Sequence, residues 1–156
     1  MKYLKIILLL TFFVKLSSAH NIELNGIRYE VRFNVYSNEY EAIIFPINNS
    51  YSGDITIPAD VTYEGNNYKI IGFHQTAFRN CTQLKTITFN SPYIDFNSEH
   101  EDNFSGCINL QEINMPDSHP LYKSVNGVVI RRADDFFESS IFLMPEGYVG
   151  EFVIPS

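Results

Sequence analysis

Two pairs of residues that could hold a metal recur at one spacing. His74 and His100 are 26 apart, and so are Cys81 and Cys107. Two Cys and two His are the ligand set of a structural zinc site. Ligands must converge, however. Cys81 and Cys107 each sit between a Phe and a Leu in an apolar column that should point inward. His74 and His100 neighbour Gln75 and Glu99, on what should be the exposed side of the same segments. No metal and no cofactor are expected. A Cys81–Cys107 disulfide is the alternative chemistry. Adjacent strands lie about 4.8 Å apart, within the Cα window of a disulfide. Side chains leaving parallel rungs in one direction rarely reach the required dihedral, so buried free thiols are the expectation and a bridge the alternative.

Catalytic patterns are missing from the sequence. It has no G-x-S-x-G, H-E-x-x-H or G-x-G-x-x-G, and His100-Glu101 lacks a second His three residues on. Asp134, Asp135 and Glu138 cluster in what reads as a hairpin tip, where solvated charge is the default. No catalytic residue is expected. Sequons for N-glycosylation occur at Asn48, Asn80 and Asn103. Asn48, in a polar loop, is the candidate acceptor, because Asn80 is needed in a turn.

The spacing of 26 belongs to the chain itself. Residues 77–89 read AFRNCTQLKTITF and residues 103–115 read NFSGCINLQEINM. Phe78 falls on Phe104, Cys81 on Cys107, Leu84 on Leu110 and Ile87 on Ile113. A second self-match joins residues 51–58, YSGDITIP, to residues 148–155, YVGEFVIP. Together they define four rungs. Ile55, Ile87, Ile113 and Phe152 form one apolar column, and Ile57, Phe89, Met115 and Ile154 the next. Alternation of apolar and polar residues predicts short strands with one face inward. A Pro closes three of the four rungs and would stop the ladder, having no N–H. The segments before the strands carry helical or turn character, with Asn80 and Gly106 sharing a column suited to positive φ. Such a unit cannot bury its own face and must stack on its neighbours.

These residues resemble the BspA-type leucine-rich repeat. Its frame A-F-x-[NG]-C-x-x-L-x-x-I-x-[FIM], preceded by Y-x-G-x-[IF]-x-I-P, is clearest over residues 51–89. Residues 122–145 are similar to a hairpin insertion common in that family. The resemblance covers residues 51–156 and departs from the family at residues 91–103, where Asn103 stands in place of Ala. It implies an α+β solenoid of short strands and short helical or turn segments, with export and with adhesion or protein binding rather than catalysis. The partner implied is a protein, such as a host extracellular-matrix or surface protein. The alternative is a structural segment of a surface repeat array, associating through an open C-terminal edge.

Composition agrees with these bounds. The chain has 156 residues, 45% hydrophobic and 19% charged, with a net charge of −7. Nucleic acid is not an expected partner, since phosphate binding rests on Lys and Arg. Residues 1–19 have the Lys2 and Lys5 n-region, an apolar run and the Ser-Ser-Ala site of a secretory signal peptide. The run is too short to span a bilayer, and no membrane span is expected in the mature chain. Cleavage before His20 would remove Lys2, Lys5 and Lys15 and take the net charge from −7 to −10. The protein is thus expected to be secreted or held at the cell surface. Residues 20–50 read as an N-terminal β-hairpin cap, with Ile27, Tyr29, Val31 and Phe33 alternating before a second apolar run from Ala42 to Phe45. Residues 51–156 make up the repeat domain.

If the apolar columns face inward, period two puts their neighbours outside. Asp54, Thr86, Glu112 and Glu151 would form one exposed column on the concave face. Thr56, Thr88, Asn114 and Val153 would form the next. Asp54, Thr56, Thr86, Thr88, Glu112, Asn114 and Glu151 are the candidate binding residues.

Overall fold

The computed structural model describes residues 19–48, 50–96, 103–134 and 138–154. Apart from Ala19, the expected signal peptide lies outside these residues, as do His100 and Asp135. Three sheets make up the described protein. The first contains β1 (His20–Leu24), β2 (Ile27–Asn34), β3 (Glu39–Phe45), β5 (Asp60–Tyr63) and β6 (Asn66–Phe73). Its order is β1-β2-β3-β6-β5, antiparallel except where β3 runs parallel to β6. The second contains β4 (Gly53–Ile57), β7 (Leu84–Phe89) and β8 (Glu112–Asn114), all parallel. The third contains β9 (Tyr122–Val125), β10 (Val128–Arg131) and β11 (Ser140–Leu143), an antiparallel meander.

The alternation over residues 27–45 gives the β2–β3 hairpin, burying Ile27, Tyr29, Val31, Ala42 and Ile44. Three tight turns have positive φ at both central residues: Asn25-Gly26, Glu64-Gly65 and Asn126-Gly127. That conformation matches the twist of antiparallel strands. It closes β1 on β2, β5 on β6, and β9 on β10.

The expectation of an α+β fold is overturned: the described residues contain no helix. The segments before β7 and β8 are successive turns instead. Cys81 N–H donates to Phe78 O at 3.2 Å and Leu84 N–H to Cys81 O at 3.0 Å. One repeat later, Cys107 N–H donates to Phe104 O at 3.0 Å and Leu110 N–H to Cys107 O at 2.9 Å. Asn80 (φ 58°) and Gly106 (φ 80°) interrupt these steps. A left-handed residue inside each turn prevents propagation into a right-handed helix.

The eight repeat positions Phe78, Cys81, Leu84, Ile87, Phe104, Cys107, Leu110 and Ile113 are all buried. The rings of Phe78 and Phe104 stack 5.2 Å apart and nearly parallel, which shows the repeat translation directly. Phe73, at the end of β6, touches the rings of Phe78, Phe89, Phe96 and Phe104. It joins the five-stranded sheet to the parallel rungs in one core.

Candidate functional site

The parallel sheet sets the register of the candidate ladder. Asp54 pairs with Thr86 and Thr86 with Glu112, and Thr56 pairs with Thr88 and Thr88 with Asn114. Their apolar neighbours Ile55, Ile87 and Ile113 form the inward column between them. Asp54, Thr56 and Glu112 are exposed, while Thr86, Thr88 and Asn114 are half-buried. Asn114 Nδ2 donates to Glu112 Oε2 at 3.4 Å. Six of the seven candidate residues therefore meet in two adjacent columns.

Glu151 does not join them. The structure has no fourth strand over residues 148–154, so neither Glu151 nor Val153 extends the ladder. The reason lies at the outer side of β8. Ile113 N–H donates to Gly127 O at 2.8 Å, and Ser124 Oγ donates to Ile113 O at 2.7 Å. Ser124 Oγ also accepts from Met115 N–H at 2.9 Å. The β9–β10 hairpin thus occupies the backbone groups that a fourth rung would need, and the C-terminal edge expected to be open is sealed.

The ladder offers hydroxyls, one amide and two carboxylates. Asp54 and Glu112 stand on strands two apart, roughly 10 Å by strand spacing, with Thr86 between them. Among the described residues no cluster of three His, Cys, Asp or Glu side chains is placed to hold a metal. A polar cleft of about 340 Å³ adjoins the ladder at Gln111, Glu112, Asn126, Tyr148 and Val149. The chemistry available is hydrogen bonding and negative charge on a regular strand face.

The other singled-out residues have structural settings. Cys81 and Cys107 are buried free thiols, and Cys107 Sγ donates to Phe78 O at 2.8 Å. The contact with the Cys81 sulfur and burial raise the Cys107 pKa. His74 leans on the Phe45 ring at 4.8 Å, with Nδ1 2.9 Å from Thr76 Oγ1. Arg131 bonds Asp134 at 3.4 Å beside the expected hairpin tip. Asn48 is exposed, whereas Asn103 is buried. Glu41, which sequence reasoning passed over, is a buried carboxylate bound by Arg32 and Asn34 across the β2–β3 hairpin.

No family model and no curated protein matches this chain. A solved structure of a leucine-rich repeat protein from Bacteroides ovatus is similar at 24% identity, with a TM-score of 0.43. The match covers 64% of this chain and 24% of that one, so it spans about a quarter of the longer protein. A likeness that loose carries no functional argument. The site's own geometry presents an acidic and hydroxylated strand face.

Proposed function

We propose that the protein is a secreted or surface-held protein-binding module that performs no catalytic step. The observation that supports this reading is the register of Asp54, Thr86 and Glu112 beside Thr56, Thr88 and Asn114 on one parallel sheet. A row of strands holds these side chains at fixed spacing, so little conformational entropy is lost when a partner docks. The carboxylates suit a basic protein surface, and rim charges of this kind act mainly through association rate and salt dependence. The signal-peptide pattern of residues 1–19 supports export, and the resemblance to surface repeats supports adhesion.

The test is binding to immobilised basic extracellular-matrix proteins, measured with charge reversals. Asp54→Lys with Glu112→Lys should weaken affinity about tenfold or more, and added salt should weaken the unmodified chain. Glu64→Lys, on the exposed β5–β6 turn outside the ladder, serves as the control and should change affinity little. Equal effects of the ladder and control reversals, or binding indifferent to salt, would remove the ladder as the site.

A further inference from the structure

The two edges of the parallel sheet differ. The β8 edge is sealed by Gly127 and Ser124, as described above. On β4, Gly53 N–H donates to Gln83 O at 2.8 Å and Ile57 O accepts from Asn90 N–H at 2.9 Å. Those residues therefore face β7. Strand alternation turns the backbone groups of Asp54 and Thr56 the other way. Among the described residues no strand pairs with β4 on that side. A cleft of about 310 Å³ lies there, bounded by Thr56 and Pro58 and walled by Leu24, Ile27, Tyr29 and Val61.

The chain also carries a strand-like segment that has no place in its own sheet. Residues 148–155 repeat the β4 frame: Tyr148 matches Tyr51, Gly150 matches Gly53, Glu151 matches Asp54, and Ile154 matches Ile57. Val149 is 86% exposed and Val153 81%. Gly147 N–H donates to Leu110 O at 2.8 Å, which roots the segment at the β8 end of the sheet. That end is opposite β4 and is closed by the hairpin. We propose that residues 150–154 of one copy add as a parallel strand to the β4 edge of a second copy.

In this pairing Glu151 lies beside Asp54, Phe152 beside Ile55, Val153 beside Thr56 and Ile154 beside Ile57. The apolar columns continue across the junction, and the outward N–H and C=O groups of Asp54 and Thr56 gain partners. This is strand addition at an exposed edge. Donor and acceptor are different surfaces, so the contact repeats head to tail and produces open chains or rings. A single added strand buries less than the about 1,200 Å² of a standard stable interface, so assembly is weak and concentration-dependent. Glu151 beside Asp54 sets like charges side by side, a destabilising arrangement that salt screens. Assembly therefore strengthens with salt, whereas the partner binding proposed above weakens. The inference does not depend on that reading, and either can fail alone.

Sedimentation velocity of the purified chain across concentration and salt tests it. The mean sedimentation coefficient should rise with concentration, and more so at higher salt. Thr56→Pro removes one outward N–H at an edge position where Pro is tolerated, and should weaken association about tenfold or more. Phe152→Asp with Ile154→Asp changes only the unpaired segment, so it should abolish association while leaving the fold intact by circular dichroism. Mixing the two variants should restore dimers and nothing larger, since one keeps the donor and the other the acceptor. A chain that stays monomeric at all concentrations overturns the proposal, as does association that the double-Asp variant leaves unchanged.

Discussion

At the scale of single residues, Tyr51 shows how a buried polar group is satisfied. Its hydroxyl donates to Phe45 O at 2.5 Å and accepts from Arg28 N–H at 3.2 Å. One side chain thereby ties the start of the repeats to β2 and to the end of β3. Burial pushes its pKa up to about 12, although the Arg28 bond pulls the other way. Burial, with Tyr51 alongside, likewise lifts Tyr29 to about 12. The folded protein holds both protons more tightly than the unfolded chain, whose tyrosines titrate near 10. Their stabilisation is complete below pH about 10 and is lost as pH rises through about 12, at about 2–3 kcal/mol each. Denaturant melts should therefore show stability falling over that window. Tyr51→Phe should cost about 1–3 kcal/mol at neutral pH by leaving the Arg28 N–H unpaired. It should also make the alkaline fall shallower by one proton. A variant that keeps the full slope would show that Tyr51 is not one of the titrating groups.

At the scale of elements, the rungs were the most legible feature of the sequence. Two independent self-matches predicted which residues stand side by side, and β4, β7 and β8 pair in those columns. Three strands, β1, β5 and β6, do not follow from the apolar columns, although the turns that join them are written plainly. Asn25-Gly26 closes β1 on β2 and Glu64-Gly65 closes β5 on β6, each with positive φ at both positions. The α+β expectation fails because an apolar spacing of three fits a helix and a train of turns equally, and the segments before β7 and β8 are turns. Asn80 and Gly106 share a column suited to positive φ, and its consequence for helix propagation decides between the two. For the candidate site, six side chains were legible because period two fixes their face. The fate of Glu151 was not, because it depends on tertiary contacts made by Ser124 and Gly127 rather than on any local pattern. Gly127 has φ 79°, and a Cβ there would lie 2.9 Å from Glu112 Cα. Gly127→Ala must therefore push the hairpin off β8 and should cost about 1–3 kcal/mol. Hydrogen exchange at the Ile113 amide checks this directly, since that N–H donates to Gly127. Unchanged protection at Ile113 would mean that the hairpin does not seal the edge.

At the scale of the molecule, the question is whether sheets and rungs are one cooperative unit. A simple solenoid is a sum of neighbouring repeats whose ends can fray independently. Here the rungs do not stack only on one another. β3 pairs with β6 in the five-stranded sheet, so a division after residue 50 would separate two hydrogen-bonded strands. His74 N–H then donates to Ile44 O at 2.7 Å, continuing that pairing into the turn before β7. Phe73 completes the connection, with its backbone in the first sheet and its ring among Phe78, Phe89, Phe96 and Phe104. If this ring is the link, its loss must be felt on both sides. Phe73→Ala should cost about 3–5 kcal/mol, the range for truncating a buried aromatic. In urea, probes placed in β2 and in β7 should report one coincident transition in the unmodified protein, as a two-state unit requires. The Phe73→Ala midpoint should fall for both probes together, or the two transitions should separate with both lowered. If the β2 probe keeps its midpoint while only the β7 probe falls, the five-stranded sheet stands without the rungs, and Phe73 belongs to the rungs alone.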